Sequence, residues 1–344
     1  MPARHALSIP EILLHVSEQL QPDTEFWEER ERGHPESRAA ALACPARVCE
    51  GFREPALRGL WRDIPSIEVL VKLVRPSAEG PLSGMQLVNK LAGVPYLTSV
   101  SVYMEEDLIT SEERPTFSDL KSLDIVEWLY GGPSVSFLTS AAFPRLQSLS
   151  LYTPGTHISD ALWQTSPVTV AGSLPQLREL CMESTGSSSK SDPSSPQPMN
   201  CSVADVLRPL LSLANMRKIE IEFGLCVLDT SDDDVREITR SWPKLQVLKL
   251  SHHPSSIRPS LHALMYVAQN CPDLTELALS PLCHDGEIPA SDAVAVAGHG
   301  LRRVHSDGWA TRLPPKEIKS FIYALFPDVK FMVKRRLKAA KKST

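Results

Sequence analysis

Hydrophobic residues recur along the chain in a fixed order that combines two spacings. The order is L-x-x-L-x-L, with Met, Ile or Val also accepted at the apolar positions, and it occurs seven times. The last two apolar positions alternate with other residues, as in a short β-strand that buries one face. The copies are Leu97-Val100-Val102, Leu120-Leu123-Ile125, Leu146-Leu149-Leu151, Leu177-Leu180-Met182, Met216-Ile219-Ile221, Leu245-Leu248-Leu250 and Leu274-Leu277-Leu279. The pattern predicts one strand for each copy.

A proline stands two residues ahead of five of the seven copies, and helical spacing precedes several of them. The prolines are Pro95, Pro144, Pro175, Pro243 and Pro272. Apolar residues three to four apart predict helices over Val203 to Leu213, Asp233 to Trp242 and Ser260 to Cys271. Successive copies start 23 to 39 residues apart, which indicates an α/β solenoid with one strand plus one helix per unit. Buried strands of an ordinary α/β domain are the alternative interpretation.

This pattern resembles the leucine-rich-repeat family over about residues 90–279, with weaker continuations at 301–304 and 326–329. The resemblance implies a horseshoe-shaped solenoid over residues 66–333. It also implies that the side chains between the strand leucines line the concave face and bind a substrate protein. Those side chains are Tyr103, Tyr152, Glu179, Glu183, Lys218, Glu220, Glu222, Lys249 and Glu276.

The expected concave face is acidic in its middle units and carries tyrosines. Tyrosine provides a large contact area at low entropic cost, so Tyr103 and Tyr152 are candidate anchors. We hypothesise that the partner is basic and is steered by the acidic units, so that its binding weakens with salt. The glutamates expected to receive it are Glu179, Glu183, Glu220 and Glu222. A sheet face that is only solvated is the alternative.

A second motif occupies residues 1–65. Ser8 can cap a helix whose apolar stripe includes Ile12 and Leu13, and a later cluster, 46–61, contains Ala-Arg-Val-Cys and ends in Leu-Trp. In order and chemistry the two clusters resemble an F-box of the fungal type, although Phe52 stands where the family has tryptophan. The resemblance implies docking on the Skp-type adaptor of a cullin ubiquitin ligase. The docking residues would be Ile9, Pro10, Ile12, Leu13, Val16, Val48, Cys49, Phe52, Leu60 and Trp61.

Together the two resemblances imply a substrate-recognition adaptor of a cullin-type (SCF) ubiquitin ligase, without catalytic activity or cofactor. Two alternatives remain open. The chain is a leucine-rich-repeat scaffold unconnected to ubiquitin ligation, or residues 8–62 only cap the first repeat. No catalytic or metal-binding pattern occurs in the sequence.

Composition limits the partners and the compartment. A net charge of -5 over 344 residues provides no global attraction to nucleic acid, so none is expected as a partner. No apolar run approaches the roughly 20 residues of a membrane-spanning helix, and the first residues lack the layout of a signal peptide. Seven cysteines without a CxxC pair suit reduced thiols. We therefore expect a cytoplasmic or nuclear protein that does not bind membranes.

Three segments are expected to lie outside the packed core. Residues 22–38 form a charged insertion in the N-terminal motif, and residues 184–200 are rich in Ser and Pro. The second segment has too few apolar residues to offset its ordering entropy and predicts a flexible loop. Residues 334–344 form a basic tail, which is either solvated or a nuclear-import or phosphate-contacting patch.

Overall fold

Strands and helices alternate along the part of the chain that the computed structural model describes. That part comprises residues 63–64, 91–94, 96–104, 114–127, 133–153, 160–184, 197–279, 282–284, 288–289, 299–306, 309–311 and 315–333. The strands are β1 Asp63–Ile64, β2 Ser99–Met104, β3 Ser122–Glu127, β4 Ser148–Thr153, β5 Glu179–Ser184, β6 Gln197–Ser202, β7 Lys218–Asp229, β8 Val247–Pro254, β9 Glu276–Leu279, β10 Leu282–His284, β11 Arg303–Ser306, β12 Trp309–Thr311 and β13 Lys330–Val333. The helices are α1 Pro133–Ser140, α2 Asp160–Ser173, α3 Val203–Leu207, α4 Asp232–Ser241, α5 Leu261–Asn270 and α6 Pro315–Leu325.

Within these segments, eleven strands form one open sheet in which every paired strand runs parallel to its neighbour. The order is β1-β2-β3-β4-β5-β7-β8-β9-β11-β13, with β6 paired beside β7, while β10 and β12 form a separate pair. Strands therefore follow one another across the sheet almost as they do in the sequence. The chain is an α/β protein with a mostly parallel open sheet, and this arrangement is compatible with a solenoid-like fold.

The register of the sheet aligns the seven copies of the hydrophobic pattern. Leu149 pairs with Leu180, Leu180 with Ile219, and Ile219 with Leu248. The row continues to Leu277 and, in the other direction, through the equivalent residues of β3 and β2. The second apolar position of every copy is at most 1% exposed. The prediction of one strand for each copy is confirmed.

The apolar rows pack against the helices in one continuous core. Val203 of α3, Val235 of α4 and Leu264 of α5 belong to the same buried cluster as the strand leucines. The buried Trp242, which follows α4, donates a hydrogen bond from Nε1 to the carbonyl of Leu210 at 3.3 Å. The polar edge of the indole is thereby satisfied inside the core.

Helix boundaries agree with the sequence pattern and with its capping residues. The prediction over Val203 to Leu213 corresponds to α3 followed by a 3-10 turn, Arg208–Ser212, where Pro209 supplies no backbone donor for an α-helical bond. The other two predicted helices are α4 and α5. Ser231 caps α4 by accepting a hydrogen bond from the Asp234 amide, and the Asp234 carboxylate accepts one from the Ser231 amide.

A carboxylate couples the start of α4 to the start of α5. Asp232 accepts two hydrogen bonds from Ser260, one from the backbone amide and one from the hydroxyl, each at 2.6 Å. Ser260 is itself the N-cap of α5. The two helix N-termini are thus held at a fixed separation.

The prediction of a flexible loop over residues 184–200 is wrong at both ends. Ser184 is the last residue of β5, and residues 197–200 belong to β6, which pairs with the second half of β7. β7 is 12 residues long and continues beyond the end of β5. Pairing with β6 satisfies the backbone groups of this additional length. Residues 185–196 lie outside the described segments.

The sheet extends beyond the seven copies in both directions. β1 pairs with β2, so the sheet includes residues 63–64 within the segment predicted as the N-terminal helical domain. The weaker continuations correspond to β11 and to β13, which follows residue 329 directly. The charged insertion and the basic tail lie outside the described residues. Of the described helices, none combines the length and the apolar character needed to cross a bilayer.

Candidate functional site

One face of the sheet carries the side chains that alternate with the buried rows. We call its central part, on β5, β7, β8, β9 and β11, the charged face. Its members are Glu179, Cys181, Glu183, Lys218, Glu220, Glu222, Lys249, Glu276, Arg303 and His305. Seven of these ten residues were predicted from the sequence, and the strands bring those seven together.

Lys249 lies at the centre of a network of ion pairs. Its Nζ is 2.7 Å from Oε1 of Glu220 and 3.3 Å from Oε1 of Glu276. The other carboxylate oxygen of Glu220 is 3.0 Å from Nζ of Lys218. Both glutamates are therefore bound by cations of their own sheet, and their side chains are only 19% and 10% exposed.

β11 supplies two basic groups that the predicted site did not include. Nη2 of Arg303 lies 3.4 Å, and Nε2 of His305 lies 3.3 Å, from the carboxylate of Glu276. The sequence carries a signal for them, because residues 301–304 continue the hydrophobic pattern weakly. Extending the same register to that unit places residues 303 and 305 on this face.

The network shifts the pKa values of its central residues in opposite directions. Burial of Glu220 acts to raise its pKa, but the hydrogen bonds and charges of Lys249 and Lys218 outweigh burial and lower it. Burial of Lys249 acts to lower its pKa, but Glu220 and then Glu276 raise it. Both groups thus stay charged across the neutral range, and each stabilises the ionised form of the other.

An open groove of about 370 Å³ crosses the charged face. Its charged lining consists of Glu183, Glu220, Glu222, Lys249, Glu276 and His305, and its apolar lining includes Ile221, Leu250 and Leu279. Four carboxylates and one ammonium give the lining a formal charge of -3 with the histidine neutral. Lys218 and Arg303 lie outside this lining but pair with Glu220 and Glu276, which reduces the formal charge of the cluster to -1.

No protein-family model matches the chain, and no curated protein matches it. What the charged face does must be inferred from the residues that form it.

The acidity of the groove is concentrated between β5 and β7. Glu183 and Glu222 are direct register partners, and both are exposed. Like charges side by side on neighbouring strands repel each other. Glu179, in contrast, lies at the other end of β5, where it pairs in register with Lys218 and accepts a hydrogen bond from Ser148 at 3.4 Å.

The two predicted tyrosines lie in the same row as Glu183. Tyr152 is the register partner of Glu183 and of Val126, and Val126 is the partner of Tyr103. Tyr152 is partly exposed beside the acidic end of the groove. Tyr103 and Tyr152 therefore occupy the same register position, two strands apart.

Cys181 is the one thiol among the ten members of the charged face. On β5 it lies between Glu179 and Glu183. Burial raises its pKa to about 12, with further contributions from Glu183 and Glu220. The thiol is consequently protonated at neutral pH, whereas a reactive cysteine requires the thiolate.

The predicted adaptor-binding residues lie outside the described part of the chain. They are Ile9, Pro10, Ile12, Leu13, Val16, Val48, Cys49, Phe52, Leu60 and Trp61.

Proposed function

We propose that the chain is a leucine-rich-repeat recognition protein that binds a protein partner on the charged face. The observation that carries this proposal is the in-register alignment of the seven pattern copies, from Val100 to Leu277. In a parallel sheet built from stacked units, the side chains at each exposed strand position line up across neighbouring strands. Together these rows form a continuous surface. The groove across that surface adds a concave site of a size typical of binding clefts.

We further propose that this recognition serves a cullin-type ubiquitin ligase. The support is the F-box-like sequence of residues 1–65, with the apolar pair Ile12 and Leu13 at the centre of its first helix pattern. An amphipathic helix of this kind buries its apolar stripe in a groove of a partner. In this proposal the N-terminal segment docks on the Skp-type adaptor, the repeats hold the substrate, and the chain itself performs no catalysis.

Direct binding to the adaptor tests this proposal. Purified full-length protein is titrated with a purified Skp-type adaptor by isothermal calorimetry, alongside a variant carrying Ile12→Asp and Leu13→Asp. The matched control carries Phe26→Asp and Trp27→Asp, the same kind of change to two adjacent apolar residues in the charged insertion.

We expect the wild type and the control to form a one-to-one complex, and the first variant to lose it. Absence of binding by the wild type would refute the ligase role and favour a scaffold that acts through the charged face alone. Equal binding by the three proteins would show that the helix carrying Ile12 is not the docking element.

A further inference from the structure

We infer that the protein binds one water molecule in its interior, between the hydroxyl of Ser166 on α2 and the carboxyl group of Glu127 at the end of β3. The site lies on the core side of the sheet, near the carboxyl ends of β3, β4 and β5. It goes beyond the proposed recognition function and does not depend on it. A water of this kind is a structural ligand, held by several hydrogen bonds to buried polar groups.

The hydroxyl of Ser166 is the group that requires a partner. The residue is 1% exposed, and its Oγ makes no hydrogen bond within the part of the chain that the structure describes. Burying a hydroxyl without a hydrogen bond is unfavourable, and most buried polar side chains are bonded either to protein or to ordered water. The position of Ser166 therefore indicates a small hydrogen-bonding ligand beside it.

Ser166 lines a small cavity to which three other elements contribute polar groups. These groups are Glu127 of β3, Ser134 of α1 and Thr153 of β4. Glu127 and Ser134 are buried, with 4% and 2% of their surface exposed. The space that the centre of a water-sized molecule can occupy is about 10 Å³, which is about the least that a single water needs.

The inward row of side chains changes from apolar to polar at this end of the sheet. Ile125, Leu151 and Met182 are register partners in the buried row and form the apolar part of the cavity wall. Two residues further along, β3 and β4 carry Glu127 and Thr153, which the alternation of a strand directs to the same side. Polar groups on the core side must find hydrogen bonds inside the protein.

The polar groups of the cavity can accept further hydrogen bonds. Glu127 accepts one from Ser134 Oγ at 2.6 Å, and Thr153 donates one to the carbonyl of Glu183 at 3.3 Å. A carboxyl group has two oxygens, and a hydroxyl accepts as well as donates. Ser166 shares the cavity with them but bonds directly to neither. A water both donates and accepts, so it bridges groups that do not meet.

The bridge connects α2 to the end of β3, and the bond between Glu127 and Ser134 extends the connection to α1. Tyr152 and Glu183 line the same cavity. The water site therefore lies directly behind the part of the sheet that carries these two side chains.

The sign of the effect of Ser166→Ala distinguishes a hydroxyl bound to water from one without a partner. Alanine removes a hydrogen bond in the first case and should destabilise the protein, whereas in the second it removes an unfavourable buried group and should stabilise it. The matched control is Ser136→Ala, because Ser136 is partly exposed in α1 and reports the gain in helix propensity.

Urea unfolding of the full-length protein measures this effect. Relative to the control, we expect Ser166→Ala to raise the equilibrium constant of unfolding about two- to tenfold. A crystal structure of the wild type should show a density peak within hydrogen-bond distance of Ser166 Oγ and of a Glu127 carboxyl oxygen. Absence of the peak, or a Ser166→Ala variant at least as stable as the control, would overturn the inference.

A small cation is the other occupant that hydroxyl and carboxyl oxygens attract. Unfolding of wild type and Ser166→Ala is therefore repeated in sodium chloride and in tetramethylammonium chloride at equal ionic strength. With water bound, the difference in stability between the two proteins should be the same in both salts. A difference that is larger in sodium chloride would assign the site to a cation and overturn the inference.

Discussion

Glu220 and Lys249 are register partners on β7 and β8, and their charged groups lie 2.7 Å apart. The pair is continued by Lys218 on one side and Glu276 on the other, so that ion pairs link three neighbouring strands. Glu183 and Glu222, register partners on β5 and β7, lie beside this network and are exposed. Their carboxylates are accessible to a partner on the charged face.

Replacing Lys249 with methionine should destabilise the protein, because Glu220 and Glu276 would each lose an ion pair with its ammonium group. Glu220 keeps Lys218, Glu276 keeps Arg303 and His305, and the lysine side chain is 35% exposed. We therefore expect a loss of about 1 kcal/mol in the free energy of unfolding, after allowance for solvent screening. Urea denaturation at neutral pH measures it. Lys244→Met is the control, since Lys244 is exposed and bonds to the side chain of Asn215, and a loss no larger than the control's would contradict the account.

The stabilisation by this pair should depend on pH at both extremes. The pKa of Glu220 is lowered from 4.5, so its contribution is present above that value and is lost as the pH falls through the lower folded-state pKa. The pKa of Lys249 is raised from 10.5, so its contribution is present below that value and is lost as the pH rises through the higher folded-state pKa. The difference in unfolding free energy between wild type and Lys249→Met should be largest between about pH 5 and 10, as read from urea curves. A difference that does not change with pH would argue against an ionic origin.

Gly224 and Gly172 should respond oppositely to alanine. Gly224 has φ 60° in the irregular part of β7, and a Cβ there would lie 2.9 Å from Oγ of Ser184. Gly172 lies in α2, and a Cβ there would meet nothing within 4 Å. We expect Gly224→Ala to cost about 1–2 kcal/mol and Gly172→Ala to be neutral or stabilising by up to about 1 kcal/mol. Thermal unfolding midpoints report both effects, and similar midpoints for the two variants would contradict the backbone assignment at Gly224.

The contact between Asp232 and Ser260 should contribute more to stability than the surface ion pair of Asp233, which lies in the same first turn of α4. Asp232→Ala removes a charged acceptor of two hydrogen bonds at 2.6 Å and should cost about 1.5–3 kcal/mol. Asp233→Ala is the matched control, because Asp233 is 76% exposed and makes a surface ion pair with Arg236, worth at most about 0.5 kcal/mol. Chemical denaturation of both variants tests this, and equal losses would show that the coupling of the two helix starts does not stabilise the protein.

The strands and the exposed face were predictable because a parallel sheet of repeating units preserves one register. Once Leu248 is assigned to the buried row, Lys249 must face the other side, and the same holds in every unit. The ion pairs were not predictable to the same degree. Glu276 has Val247 as its register partner on β8, yet its carboxylate reaches Lys249 diagonally. That choice depends on side-chain conformation, which the spacing of residues does not encode.

β6 was missed for a different reason. Its sequence, QPMNCS, lacks the alternation of apolar and polar residues that identified the strands of the seven pattern copies. It becomes a strand because the long β7 offers unpaired backbone groups beside it, which is a property of the neighbouring element. Local pattern therefore identified strands that bury a face, whereas β6 is a strand held by pairing.

The most direct test of the central claim is quantitative mass spectrometry of complexes purified with the full-length protein in three forms. The forms are the wild type, Ile12→Asp with Leu13→Asp, and Glu183→Lys with Glu222→Lys. The account predicts that the wild type carries the Skp-type adaptor, a cullin and at least one further protein. The variant with Ile12→Asp and Leu13→Asp should lose the adaptor and the cullin but keep the further protein. The variant with Glu183→Lys and Glu222→Lys should lose the further protein but keep the adaptor and the cullin. A wild-type complex that contains neither adaptor nor cullin would contradict the account.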